Sequence, residues 1–101
     1  MKAKIWNKSW WISETREKVL DNLLNFLSVV SGFHVLQTME HEFTPYGYTK
    51  LWLLAESHLA VHTFPEHGRA YIELSSCNEQ KFDLFVQEME RRRAGIGIIE
   101  E

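Results

Sequence analysis

Apolar and polar positions along the chain follow two periodicities, and these predict two helices set among several strands. An apolar stripe at helical spacing occupies residues 19–30, and a shorter one occupies residues 82–89. We expect Ser13 and Asn78 to cap the two helices, because each side chain can accept a hydrogen bond from a free amide of the first turn. Gly32 and Gly95 are the predicted helix stops.

The remaining segments are rich in β-branched and aromatic residues, which is typical of strands. Strands are predicted over 3–12, 33–43, 48–56, 58–64, 69–77 and 96–99, with turns at 44–47 and 65–68. The order β-α-β-β-β-β-α-β favours an α+β fold, namely a two-layer α/β sandwich whose antiparallel sheet is covered on one face by two helices. Since the other face must also be covered, we expect a homodimer.

Length and charge limit the classes of function. The chain has 101 residues, which predicts a single domain over 1–101. It carries 11 basic and 14 acidic residues, so it lacks the basic excess that nucleic-acid binding requires. Cys77 is the only cysteine, which excludes an intrachain disulfide and suits a reducing compartment. We expect a cytoplasmic protein without a membrane segment, a signal peptide or a metal site.

Three reactive side chains stand close together in the strand-rich centre of the sequence. His62 lies five residues after Ser57, and Cys77 lies twenty residues after Ser57. A hairpin-linked sheet can bring all three together, and a nucleophile, a base and a thiol would permit acyl transfer. No acid completes a triad, however, and the spacing matches no common hydrolase pattern.

The same segment resembles a known family. Glu56-Ser57-His58-Leu59, followed by His62-Thr63-Phe64-Pro65-Glu66, Gly68 and Cys77, is similar to the signature of the prokaryotic S-adenosylmethionine decarboxylase proenzymes. The resemblance extends over residues 43–77, and the predicted element order agrees with the two-layer sandwich of that family.

The resemblance implies that the protein makes its own cofactor. Cleavage between Glu56 and Ser57 would give a β chain, 1–56, and an α chain, 57–101, and Ser57 would become a covalent pyruvoyl group. This group acts as the electron sink for decarboxylation through a Schiff base with the substrate, as pyridoxal phosphate does elsewhere. His62 and Thr49 match residues that assist processing, and Cys77 matches the acid that protonates the product carbon.

The substrate implied by the resemblance is S-adenosylmethionine, for spermidine and other polyamine synthesis. Phe43 and Phe64 match the rings that stack on adenine, and Glu66 matches the carboxylate that binds the ribose. Arg69 and Asn78 depart from the common pattern, which has Tyr and Gly there, and Phe64 replaces a Trp. The alternatives are therefore a pyruvoyl-dependent decarboxylase of arginine or ornithine, or an unprocessed, non-catalytic homologue.

Overall fold

The computed structural model describes residues 3–100, which form a six-stranded sheet with helices on one face. The strands are β1 Trp6–Ile12, β2 Val35–Glu42, β3 Tyr48–Leu54, β4 Ser57–Phe64, β5 Arg69–Ser76 and β6 Ile98–Ile99. The helices are α1 Glu17–Val30, α2 Glu79–Arg91 and the short α3 Arg93–Ile96. All pairings are antiparallel, in the order β2-β3-β4-β5-β1-β6. The predicted α+β sandwich is confirmed, with strand ends shifted by up to three residues.

The core lies between the sheet and the two long helices. Alternate residues of the central strands point toward the helices, and Trp52, Leu59 and Ile72 are fully buried there. The apolar stripes of α1 and α2 cover them, with residues such as Leu24 and Phe85 wholly out of contact with water. The periodicity of the sequence thus decides which face of the sheet is covered.

One charged side chain is buried on this face. Lys50 is 7% exposed, forms an ion pair with Asp21 of α1, and lies 4.7 Å above the ring of Trp52. Beside it, the Tyr48 hydroxyl donates a 2.8 Å hydrogen bond to Glu40. Burial, followed by that carboxylate, raises the pKa of Tyr48. The ion pair joins α1 to β3 and the hydrogen bond joins β3 to β2, so both Lys50 and Tyr48 have a polar partner on this face.

The prediction that Ser13 caps the first helix is wrong. Helix α1 begins at Glu17, and the preceding residue Arg16, which occupies the N-cap position, makes no side-chain cap hydrogen bond. Ser13 instead donates its backbone amide to the carbonyl of Gly97, at 2.8 Å. The serine is therefore held beside the C-terminal segment, four residues before the helix begins.

The predicted stop at Gly95 is also wrong. Helix α2 ends at Arg91, and Gly95 lies within the short helix α3. Gly97 ends that helix with a φ of +69°, a conformation that glycine adopts without strain. At the other positions the structure agrees with the sequence: Gly32 follows α1 with a φ of +90°, and the Asn78 side chain accepts from the amide of Lys81 at 3.0 Å.

The second face of the sheet carries no helix among residues 3–100, and we call it the open face. Its apolar side chains are exposed to 71% at Met39, 49% at Leu53 and 44% at Leu51. Neighbouring strands place them side by side, because Met39 pairs with Leu51 across β2 and β3. The longest helix in the described residues has 14 residues, too few and too polar to span a bilayer.

Candidate active site

A strained turn precedes the serine that the sequence singles out. Strands β3 and β4 are joined by only two residues, Ala55 and Glu56. Glu56 has a φ of +63°, in the left-handed region that residues with a side chain rarely occupy. Such a conformation costs on the order of 1 kcal/mol. The peptide bond that follows this strained residue is the one between Glu56 and Ser57.

Ser57 begins β4 and is almost fully buried. Its hydroxyl donates a 2.7 Å hydrogen bond to the hydroxyl of Ser76, its cross-strand partner on β5. The next residue, Cys77, donates its backbone amide to the Glu56 carbonyl at 3.1 Å. The structure therefore brings together three predicted site residues, Glu56, Ser57 and Cys77.

These three residues line a cavity of about 300 Å³, which we call the Ser57 cavity. Leu53, Leu54 and Ile5 provide apolar walls, and His58, Ser75 and Ser76 provide polar ones. Cys77 is exposed and directly follows the last residue of β5, and its amide still pairs with Glu56, so the alternation continued by one residue puts its side chain on the open face with Ser75. A thiol in this position is accessible to a molecule bound beside residue 57.

A second group of predicted residues lies toward the other end of β3 and β4. Thr49 and His62 are cross-strand partners on the open face, and the Thr49 hydroxyl lies 2.9 Å from Nδ1 of His62. The hydrogen bond fixes the orientation of the ring. The ring of Tyr71, the partner of His62 on β5, lies 6.3 Å away.

His62 and Thr49 line a cavity of about 330 Å³, which we call the His62 cavity. Phe43, Phe64 and Glu66 also line it, so five predicted site residues meet there. Both phenylalanine rings are partly exposed, at 51% for Phe43 and 39% for Phe64. Both rings present aromatic surface to the cavity, which the Glu66 side chain also lines.

Aromatic side chains of the open face continue from this cavity across β5 and β1. The ring of Trp11 lies 6.0 Å from Phe64 and 5.1 Å from Tyr71. The guanidinium of Arg69 lies 5.6 Å from the Trp11 ring, within the range of a cation–π contact. The arginine that departs from the family pattern is thus packed on tryptophan, and it does not line the His62 cavity.

The expectation that Ser57, His62 and Cys77 meet within one chain is wrong. Ser57 and His62 both lie on β4, and five residues of strand separate them by about 16 Å. An odd separation also turns their side chains to opposite faces of the sheet. Within one copy of the chain, Ser57 and Cys77 line the Ser57 cavity, whereas His62 lines the His62 cavity.

No pattern in the sequence points to Ser76, which accepts a hydrogen bond from the Ser57 hydroxyl and another from the backbone amide of Asn78 at 2.9 Å. The sequence also indicates only a structural or surface role for His58, which lines the Ser57 cavity. Both positions follow from the antiparallel register of β4 and β5, in which Ser57 pairs with Ser76 and His58 with Ser75. A prediction of the register between β4 and β5 would therefore have placed Ser76 and His58 at the site.

Known proteins match this chain over most of its length. The sequence profile of the family described as S-adenosylmethionine decarboxylase matches residues 14–95. An S-adenosylmethionine decarboxylase proenzyme of Prochlorococcus marinus (strain MIT 9211) is 35% identical over 82 residues, which cover 76% of this chain and 67% of that protein. An S-adenosylmethionine decarboxylase proenzyme 2 of Bacillus cereus (strain ATCC 14579) is 53% identical over 47 residues, or 46% of this chain and 38% of that protein.

Six other relatives with the same type of name are covered over 42% to 55% of their length, so this chain spans about half the length of these relatives. The crystal structure of the adenosylmethionine decarboxylase from Aquifex aeolicus shares the fold, with a TM-score of 0.68 and 21% identity. That superposition covers 89% of this chain and 83% of the other. The profile match, the relatives and the shared fold together show that the chain belongs to the S-adenosylmethionine decarboxylase family.

Proposed function

We propose that the chain is the proenzyme of a pyruvoyl-dependent S-adenosylmethionine decarboxylase and that it acts as a homodimer. The observation that carries the proposal is the geometry around residue 57. A strained Glu56 precedes a buried serine, and both line a cavity with an accessible thiol. The names of the matched relatives agree with this activity.

The self-cleavage uses groups of the chain itself. The Ser57 hydroxyl oxygen attacks the carbonyl carbon of Glu56, the C–N bond breaks, and an ester replaces the peptide bond. Removal of the α-proton of residue 57, assisted by His62, then breaks the bond between Cβ and the ester oxygen. Glu56 leaves as a free carboxylate, and hydrolysis of the remaining dehydroalanine releases ammonia. The strain at Glu56 favours this reaction because cleavage relieves it.

The residues around position 57 fit a pyruvoyl group, because that group occupies the place of the serine itself and lies beside the thiol of Cys77. When formed, it supplies a carbonyl that condenses with an α-amine and accepts the electrons released as the carboxylate leaves. Cys77 then donates its proton to the α-carbon that has lost carbon dioxide.

Recognition of the nucleoside is assigned to the His62 cavity. Phe43 and Phe64 offer ring surface for stacking on adenine, and Glu66 offers a carboxylate for the ribose hydroxyls. The electron-rich rings also suit the positive sulfonium, which an aromatic face attracts.

The two cavities form complete sites only if two copies combine. The open face exposes Met39, Leu51 and Leu53, which a second sheet would cover. A two-fold axis that lies across the strands would put the Ser57 cavity of one copy over the His62 cavity of the other. Each dimer would then contain two identical sites, each built from both chains.

The alternative substrates, arginine and ornithine, are less favoured. Arg69 is one of the three departures that suggest them, and its guanidinium is packed on Trp11 outside the lining of both cavities. The relatives are named for S-adenosylmethionine. We propose that the product serves polyamine synthesis in the cytoplasm.

Mass spectrometry of the purified protein tests self-cleavage. We expect two fragments, 1–56 and 57–101, with a blocked N-terminus on the second, and an uncut chain for Ser57→Ala. Release of labelled carbon dioxide from S-adenosylmethionine, arginine and ornithine then identifies the substrate. A wild-type chain that stays intact on long incubation contradicts the proposal, as does a cleaved protein that leaves S-adenosylmethionine unchanged.

A further inference from the structure

The Ser57 cavity must hold a carboxylate if the proposed function is correct, and most of its lining cannot do so. Its walls contain no lysine or arginine among residues 3–100. Glu56 is acidic and repels an anion, while Ile5, Leu53 and Leu54 offer only apolar surface. An unpaired carboxylate in such surroundings is costly, so the cavity needs a hydrogen-bond donor.

The hydroxyl groups of the cavity are largely engaged by the protein. Ser57 donates to Ser76, and Ser76 donates to the carbonyl of Asn78 at 3.2 Å. The Ser75 hydroxyl accepts from the side chain of Asn7 at 2.5 Å and keeps its own hydrogen, but this side chain is buried. By contrast, no hydrogen bond joins the ring of His58 to any side chain of the described residues, and this ring is exposed to solvent at the cavity wall.

His58 is also the residue that directly follows the reacting centre and stays bonded to it after cleavage. Its Cα lies one peptide unit from that of residue 57, about 3.8 Å away. Its side chain points to the open face, as Cys77 does, because it pairs with Ser75 across β4 and β5. The Ser57 side chain itself points to the covered face, but residue 57, His58 and Cys77 line one cavity, so a substrate attached at residue 57 and protonated by Cys77 lies within reach of His58.

We propose that His58 binds the α-carboxylate of the substrate through an imidazole N–H, an assignment that rests on the proposed function. A single imidazole donor suits this reaction better than an arginine. The carboxylate loses its charge as carbon dioxide leaves, so a strong bidentate pair would stabilise the substrate more than the transition state. A single N–H orients the carboxylate, and little binding free energy is lost when the negative charge disappears in the transition state.

The test compares two ligands that differ only in the carboxylate. The cleaved protein is treated with borohydride, which reduces the keto group at residue 57 to an alcohol and stops turnover. Binding of S-adenosylmethionine and of its decarboxylated form is then measured by calorimetry. We expect His58→Leu to weaken S-adenosylmethionine binding about tenfold to hundredfold, and binding of the decarboxylated form by less than about twofold. His58→Gln, which keeps an N–H donor, should recover most of the loss.

His34→Gln is the matched control, since this exposed histidine lines neither cavity. Equal effects of His58→Leu on both ligands, or no effect on either, overturn the assignment of His58 and leave the proposed function intact. If Ser75→Ala weakens the binding of S-adenosylmethionine selectively and His58→Leu does not, the assignment of His58 is likewise overturned and the proposed function stands. If His58→Leu is not cleaved, Ser57→Ala with and without His58→Leu are compared in the same titrations. A wild-type protein that neither cleaves nor binds S-adenosylmethionine overturns both proposals.

Discussion

The separation of Ser57 from His62 within one chain leads to a complementation experiment. The two side chains lie about 16 Å apart on opposite faces of β4, a distance that no rotation of either side chain can close. If His62 of one copy serves Ser57 of the other, Ser57→Ala and His62→Ala are each uncut when produced alone. Produced together, they form mixed dimers with one intact site and one site that lacks both residues.

The extent of cleavage follows from the statistics of pairing. With equal amounts of two variants that associate at random, about half of the dimers are mixed, and each has one functional site. About a quarter of all chains should then be cleaved, and every cleaved chain should carry His62→Ala. A control in which wild-type chains are produced with Ser57→Ala should give cleavage of about half of all chains, because every wild-type chain has a partner with His62.

Two different affinity tags on the variants allow their fragments to be distinguished by denaturing electrophoresis and mass spectrometry. Sedimentation measurements confirm in parallel that mixed dimers form. If mixed dimers are present and no chain carrying His62→Ala is cleaved, the shared site is refuted. Cleavage of His62→Ala alone at the wild-type rate would instead remove His62 from the processing reaction.

Three further predictions concern the thiol, the open face and the second helix. Cys77→Ala should leave cleavage unchanged and lower carbon dioxide release by about a hundredfold or more, because the proton donor is lost. Leu51→Glu should give a monomer in sedimentation experiments, since burying an unpaired carboxylate costs several kcal/mol, whereas Val29→Glu on the exposed side of α1 should leave the dimer intact. Asn78→Ala should lower the free energy of unfolding in urea by about 1 kcal/mol, because the Lys81 amide loses its cap; an unchanged midpoint would contradict this role.

Much of the fold could be predicted because its periodicities are strong. The stripe over residues 19–30 repeats at one helical period, and the segments between the helices are rich in β-branched and aromatic residues. Helix ends were less predictable. Ser13 has the chemistry of a cap, but its amide pairs with Gly97, a contact across more than eighty residues that local sequence cannot reveal. Gly95 and Gly97 are two residues apart, and only the backbone conformation selects the second as the stop.

The residues of the candidate site were predicted from the motif, but their arrangement within one chain was not, and the reason is the period of a strand. A separation of five residues between Ser57 and His62 is compatible with a shared site in one chain only if a turn intervenes. The structure has the turn before Ser57, at Ala55 and Glu56, so both residues belong to one straight strand. The spacing that looks like proximity in the sequence therefore enforces separation in the fold. If Ser57 and His62 act in one reaction, the His62 that serves a given Ser57 must come from another copy of the chain. The apolar open face is where that copy would bind.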